Sequence, residues 1–214
     1  MVTFTVPTCP YDRTDRLYSR KEVAFFPGFT PLVGCNGSGK STLLNLIADE
    51  LRDRPDAALI RYNDRTDGQS NLIESMMFRN NVESAASVMV SSEGERINHG
   101  VGILVSRIGT KVRQEHPKEI WVLMDSVGSG LSIDYIGEIK DFVAWIRGQE
   151  PGIEFYFIVS TNEYEFARNE KCLDVTTFNR IEFEDYEQYR DFILKTRKKK
   201  DKRYEKVAKG NEHK

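Results

Sequence analysis

A glycine-rich stretch near the start of the chain has the composition and spacing of a phosphate-binding loop. It reads GCNGSGKST over residues 34–42 and satisfies the pattern G-x-x-x-x-G-K-[ST]. Glycines let consecutive backbone N–H groups converge on phosphate oxygens. We expect Lys40 to contact the β- and γ-phosphates of a nucleoside triphosphate and the Ser41 hydroxyl to bind Mg²⁺. The predicted nucleotide-binding residues of this stretch are Gly34, Asn36, Gly37, Ser38, Gly39, Lys40, Ser41 and Thr42.

An aspartate at the end of an apolar run is the second candidate for this chemistry. Asp125 closes the segment IWVLMD, residues 120–125. The end of a buried strand can hold a carboxylate beside the phosphate loop, where it anchors Mg²⁺. We therefore predict that Asp125 and Ser41 are both magnesium ligands.

Strands and helices alternate around these residues. Short apolar runs predict strands, and segments with apolar residues three or four apart predict helices between them. Such alternation is typical of a mainly parallel sheet. The predicted fold class is α/β, a P-loop NTPase with a mainly parallel central sheet, flanking helices and antiparallel edge strands. The predicted strands are 2–6, 23–26, 29–33, 57–62, 120–125 and 154–161, with a last hairpin or edge within 172–184.

Three motifs in order resemble the ATP-binding-cassette (ABC) ATPase superfamily. After the phosphate loop, SSEGER (residues 91–96) is similar to the signature L-S-G-G-Q, and DSVGSGLS (residues 125–132) to D-E-P-x-S-x-L-D. The sequence most resembles the soluble branch of chromosome-maintenance, double-strand-break-repair and overcoming-lysogenization-type ATPases. This resemblance implies an ATP-dependent homodimer, in which Ser92 and Gly94 of one subunit contact the γ-phosphate bound to the other. A helix N-cap is the alternative interpretation of SSEGER.

The chain differs from that family at two positions that bear on hydrolysis. Ser126 follows Asp125 where the family has glutamate, and Asn162 stands where it has a histidine. A serine is not a base near neutral pH without its own activator. We therefore expect tight Mg-ATP binding and slow turnover, unless Glu163 or Asp134 supplies the missing carboxylate. The predicted catalytic residues are Lys40, Asp125, Ser126 and Asn162.

Three further positions have two interpretations each. Gln69 is a candidate magnesium ligand by resemblance, or an ordinary turn residue. Tyr11 or Tyr18 is a candidate to stack on adenine, or an ordinary packing residue. The chain has no N-K-x-D motif to recognise guanine, which favours ATP over GTP.

Charge is distributed unevenly along the 214 residues. Residues 195–214 hold ten Lys/Arg and three Asp/Glu, whereas the remaining 194 residues carry a net charge of −9. We predict an ABC-type ATPase domain over 1–194 and a basic, flexible tail over 195–214. Such a tail is either solvated or a contact for nucleic acid or another acidic partner.

Composition bounds the cellular setting. The sequence has no apolar run of membrane-helix length, no export-signal pattern, and three cysteines without paired or metal-ligand spacing. These features predict a cytoplasmic protein without membrane contact.

The functional hypothesis is an ATP-gated homodimer that passes its state to a protein or nucleic-acid partner. By resemblance, its setting is DNA metabolism or phage–host conflict. A P-loop kinase of a small molecule or nucleotide, and the nucleotide-binding subunit of a transporter, are the alternatives.

Overall fold

The chain forms eight strands and five helices within the residues that the structure describes. This computed structural model describes residues 1–11, 15–63, 93–125, 133–150 and 152–211. In chain order the elements are β1 (Val2–Thr5), β2 (Glu22–Phe25), β3 (Gly28–Val33), α1 (Lys40–Leu51), β4 (Ala57–Asn63), α2 (Glu93–Glu115), β5 (Glu119–Asp125), α3 (Ile133–Gln149), β6 (Glu154–Ser160), α4 (Tyr164–Ala167), β7 (Cys172–Asp174), β8 (Arg180–Ile181) and α5 (Tyr186–Asn211).

The main sheet has six strands in the order β4-β5-β6-β3-β7-β8. All its neighbouring pairs are parallel except the edge pair β7–β8, which is antiparallel. Strands β1 and β2 form a separate antiparallel pair. These observations confirm the predicted α/β fold class. Because β3, β5 and β6 run in the same direction, their carboxyl ends meet at one edge of the sheet.

Both faces of the sheet are covered, which explains the continuous apolar runs of β5 and β6. On one face, Trp121 and Tyr156 join a core with α1 and the β1–β2 pair. On the other face, Val122 and Phe157 pack with residues of α2 and α3. Successive strand residues point to opposite faces, so each face receives every second side chain.

The β1–β2 pair is fixed to the main sheet by aromatic packing and by one arginine. The fully buried Phe4 ring lies edge-on to Trp121, with 5.1 Å between ring centroids. Arg180 of β8 donates to the carbonyl oxygen of Ala24 in β2 at 2.9 Å. It also donates to the hydroxyl of Thr30 in β3 at 3.3 Å.

The sequence of residues 186–195 predicts a short amphipathic helix before the basic tail, and helix α5 is longer than this prediction. It runs from Tyr186 to Asn211 and so crosses the predicted domain boundary at residue 194. Tyr189, near its start, packs on Phe183, and later residues of the helix contact the phosphate loop, as described below. The expected flexibility of residues 195–214 stays a prediction.

None of the helices within the described ranges is long and apolar enough to cross a membrane.

Candidate functional site

The phosphate loop connects the buried strand β3 to helix α1. Helix α1 begins at Lys40, directly after Gly39, which has φ 100° and ψ 16°. A side chain is disfavoured at that left-handed conformation. Space is also lacking, because a Cβ atom on Gly39 would lie 2.7 Å from Cδ2 of Leu17. The loop therefore turns sharply enough to direct its N–H groups, and those of the first turn of α1, toward one point.

Lys40 lies buried at the floor of the site, with 8% of its surface exposed. Its Nζ donates to the carbonyl oxygen of Gly34 at 2.7 Å and to Oδ1 of Asn162 at 2.9 Å. Burial lowers the pKa of Lys40 to about 8, although the nearby Cys35 and Asp125 oppose that shift. The ammonium group thus stays mostly protonated at neutral pH and is held by neutral acceptors.

Ser41 and Asp125 are adjacent, as the sequence predicted for a magnesium site. The Ser41 hydroxyl donates to Oδ1 of Asp125 at 2.9 Å. A hydroxyl and a carboxylate oxygen fit Mg²⁺, which prefers oxygen ligands and keeps several positions for phosphate and water. Within the described residues, no group of three or more His, Cys, Asp or Glu side chains can hold a metal by itself.

Asn162 connects Lys40 to the phosphate loop. Its Oδ1 accepts the hydrogen bond from Lys40, and its Nδ2 donates to Oδ1 of Asn36 at 2.8 Å. Asn162 follows the end of β6, so the sheet brings it to the loop across more than a hundred residues of sequence. A neutral amide in this place fixes Lys40 but cannot exchange a proton as a histidine can.

A cavity of about 490 Å³ lies over these groups. Lys40, Ser41 and Asn162 all line it, so the structure brings these predicted site residues together. Glu163 also lines the cavity, whereas Asp134 lies in the first turn of α3 and does not. Of the two carboxylates left open by the sequence, Glu163 is the one at the site.

The two candidate tyrosines have different positions. Tyr11 is exposed, lines the cavity and hydrogen-bonds through its hydroxyl to the hydroxyl of Thr42. Tyr18 is buried, and its hydroxyl donates to the carbonyl oxygen of Gly39 at 2.8 Å. Tyr11 thus lies where it can contact the adenine base of a nucleotide in this cavity. Tyr18 instead stabilises the phosphate loop through its hydrogen bond to Gly39.

Helix α5 contributes residues that the sequence did not indicate. The hydroxyl of the buried Thr196 accepts the backbone N–H of Cys35 at 3.2 Å. Arg203 and Tyr204 line the nucleotide cavity, and Nε of Arg203 lies 2.9 Å from Oδ1 of Asp15. The only signal in the sequence was the high density of Lys and Arg, which does not show which residues of the helix face the phosphate loop.

Several predicted positions lie outside the described residues. Ser92 and Gln69 are in 64–92, and Ser126 is in 126–132. Gly94 lies in the first turn of α2, whose backbone begins at Glu93. A helix that starts directly after Ser92 agrees with both interpretations of SSEGER, the signature motif and the N-cap.

Comparison with known proteins gave one family match. A family model described as ABC transporter matches residues 28–132, from β3 to seven residues beyond the end of β5. The matched segment contains the phosphate loop, SSEGER and Asp125. Neither the curated proteins nor the solved structures that were searched gave a match.

Proposed function

We propose that the chain carries a nucleotide-binding ATPase head of the ABC type, which the family match over residues 28–132 supports. It binds Mg-ATP, hydrolyses it slowly, and forms a homodimer only when ATP is bound. The observation that carries the proposal is the convergence of Lys40, Ser41 and Asn162 on one cavity, with Asp125 against Ser41. ATPases of the ABC type bind ATP, generally with Mg²⁺.

Binding uses groups that are already in position. The loop and the start of α1 direct N–H groups and the positive end of the helix dipole toward the phosphates. Lys40 adds a charge that loses little rotamer freedom on binding, since it is already held by Gly34 and Asn162. Mg²⁺ supplies positive charge against the phosphate oxygens. Ser41 and Asp125 would hold it.

Slow turnover follows from the groups that surround the attacking position. Asn162 is neutral and already hydrogen-bonded to Lys40 and Asn36. Ser126 stands where a glutamate positions the attacking water in the family. Loss of a general base costs about 10²–10⁴ in rate, so the isolated protein should turn over below about 1 s⁻¹. Glu163 is the carboxylate available for residual activity.

Dimerisation would close the open side of the site. One subunit's loop leaves the outer face of the γ-phosphate exposed, and the first turn of α2 of a second subunit, which contains Gly94, can supply N–H groups there. By the motif resemblance, Ser92 would contact the same phosphate. ATP would stabilise this arrangement, whereas ADP lacks the phosphate that both subunits contact.

Size and phosphate release measured together test the proposal. With Mg-ATP, wild type should double its mass from 24.6 kDa, and with ADP or without nucleotide it should remain a monomer. Ser92→Arg should bind Mg-ATP but stay monomeric. Glu163→Gln should reduce phosphate release further. The proposal fails if wild type never associates with ATP, or if steady-state turnover exceeds about 1 s⁻¹.

The dimer state would be passed to a partner. The basic part of α5 supports a protein or nucleic-acid partner, and the cytoplasm is the location that we propose. DNA metabolism or phage–host conflict is the setting that the motif resemblance supports.

A second candidate is the nucleotide-binding subunit of a transporter. The description of the matching family favours it. Such a subunit would need a membrane partner chain, so reproducible co-purification with one integral membrane protein would support this function over the first.

A further inference from the structure

A second cavity lies next to the phosphate loop and helix α5, and it is lined by residues of both. Its volume is about 450 Å³. Leu17 and Arg203 border both this cavity and the nucleotide cavity. Four cationic side chains line it, and none of its lining residues in the described part of the chain is acidic. The cations are Arg16, Lys199, Lys200 and Arg203.

Among the residues that the structure describes, two of these cations have carboxylate partners and two do not. Arg203 pairs with Asp15, and Lys200 lies 3.5 Å from the largely exposed Asp201. Arg16 donates to the carbonyl oxygens of Tyr18 and Ser19 at 3.2 and 2.7 Å, and it has no ion pair with a carboxylate of the described residues. Lys199 has no ion-pair partner within the described ranges.

One carboxylate stands close to the cavity and must be counted. Asp174 accepts hydrogen bonds from the hydroxyls of Thr176 and Thr177 at 2.8 and 2.7 Å. Those two hydroxyls therefore cannot donate to a ligand. Even with this charge and those of Asp15 and Asp201, the surroundings keep an excess of positive charge.

A buried hydroxyl of the phosphate loop completes the set. Ser38 is 2% exposed and lines the cavity, and its Oγ has no hydrogen-bond partner among the described residues. A buried polar atom without a partner is destabilising and calls for a ligand or water. The backbone N–H of Ser38 donates to the carbonyl oxygen of Cys35 at 3.1 Å, whereas its side-chain oxygen stays open to a ligand in this cavity.

Serine hydroxyls, lysine and arginine are the donors that proteins use to bind phosphate oxygens. A metal cation is excluded by the positive charge of the lining. We propose that this cavity binds a phosphate group, held by Arg16, Lys199 and the hydroxyl of Ser38, at a site separate from that of the nucleotide. The phosphate belongs either to a free anion or to the end of a nucleic-acid strand.

Calorimetry with the nucleotide site already saturated tests this site. Wild type is first saturated with the non-hydrolysable analogue adenylyl-imidodiphosphate and Mg²⁺, and inorganic pyrophosphate is then titrated. A parallel titration uses one short oligonucleotide with and without a 5′-phosphate. We expect one further equivalent per chain for pyrophosphate, for the phosphorylated strand, or for both. Pyrophosphate uptake alone identifies a free anion, and a preference for the phosphorylated strand identifies a strand end.

Lys199→Glu and a matched control decide whether the uptake occurs in this cavity. Lys199→Glu should weaken it by at least about tenfold, as expected for a charged hydrogen bond. Lys198→Glu makes the same charge change at an exposed neighbour that does not line the cavity, and should change it by less than about twofold. Arg16→Gln should repeat the loss from a different element.

Two results would overturn the proposal. One is that pyrophosphate does not bind as a second equivalent and that oligonucleotides bind equally well with and without a 5′-phosphate. The other is an equal loss in Lys199→Glu and Lys198→Glu, which would indicate diffuse attraction to the basic helix. Binding of the analogue is measured in the first step, so failure of this site is distinguishable from failure of the nucleotide site.

Discussion

At the scale of single residues, the burial of Lys40 opposes the positive charge of its ammonium group. Burial lowers its pKa to about 8 in the nucleotide-free protein. A triphosphate beside the ammonium group would favour the charged form and raise the pKa again. Nucleotide binding therefore becomes linked to protonation in a pH range that is easy to measure.

We expect Mg-ATP affinity to be constant below about pH 7 and to fall above about pH 8. The pKa of Lys40 is higher in the complex than in the free protein, so the binding contribution is complete below the free-protein pKa and is lost as pH rises through it. The loss should approach about tenfold per pH unit. Calorimetry from pH 6 to 10 measures it. Lys40→Arg keeps its charge throughout and should give a flat profile, even at lower affinity. Equal slopes in both proteins would contradict this assignment.

At the scale of elements, helix α5 contacts the phosphate loop at two places, Cys35 and Gly37. The Thr196 hydroxyl donates to the carbonyl oxygen of Ile193 in its own helix and accepts the N–H of Cys35. Tyr204 is close enough that a Cβ on Gly37 would lie 3.2 Å from its hydroxyl. The loop thus depends on an element that follows it by more than 150 residues.

Thr196→Val should lower the free energy of unfolding by about 1–3 kcal/mol, because the Cys35 N–H would be left buried without an acceptor. It should also weaken Mg-ATP binding. Thr110→Val is the matched control, since the Thr110 hydroxyl donates only to Ser106 in its own helix, at 2.9 Å. We expect it to change stability by less than about 0.5 kcal/mol. Denaturant titration compares the two, and equal effects would argue against the loop contact.

Local patterns explain which elements the sequence could predict. The phosphate loop is recognisable from its glycine spacing, and β5 and β6 are recognisable as continuous apolar runs. Local sequence therefore predicts all three, and the structure confirms the two strands. The roles of Tyr18, Thr196 and Arg203 could not be predicted. Their hydrogen bonds and ion pairs join distant parts of the chain. A single sequence does not show which distant residues meet in the fold. It also predicted a shorter helix than α5.

At the scale of the whole molecule, an aromatic cluster joins the β1–β2 pair to the main sheet. The rings of Trp121 and Tyr156 stack with 3.9 Å between centroids and 3° between planes. Phe4 and Phe25 meet Trp121 edge-on from the smaller sheet. The edge-on contacts are favoured by the ring quadrupoles, and the cluster lies on the face that also packs against α1.

Phe25→Ala and Phe26→Ala should differ strongly in stability. Phe25 is 0% exposed and Phe26 is 52% exposed, although they are neighbours in sequence. Truncation of the buried ring should cost about 3–5 kcal/mol, and truncation of the exposed one about 1 kcal/mol or less. Thermal or denaturant unfolding, followed by tryptophan fluorescence, measures both. Similar costs would mean that the β1–β2 pair does not pack on the main sheet.

Helix α5 also has a mechanical consequence. Its 26 residues form a helix of about 39 Å at 1.5 Å per residue. Near its start, Tyr189 is packed in the apolar cluster that contains Phe183. A rod transmits a tilt along its length, so a load on its solvent-exposed turns would displace Thr196 relative to Cys35. A force applied to the exposed end of this helix would therefore act on the phosphate loop through the contact between Thr196 and Cys35.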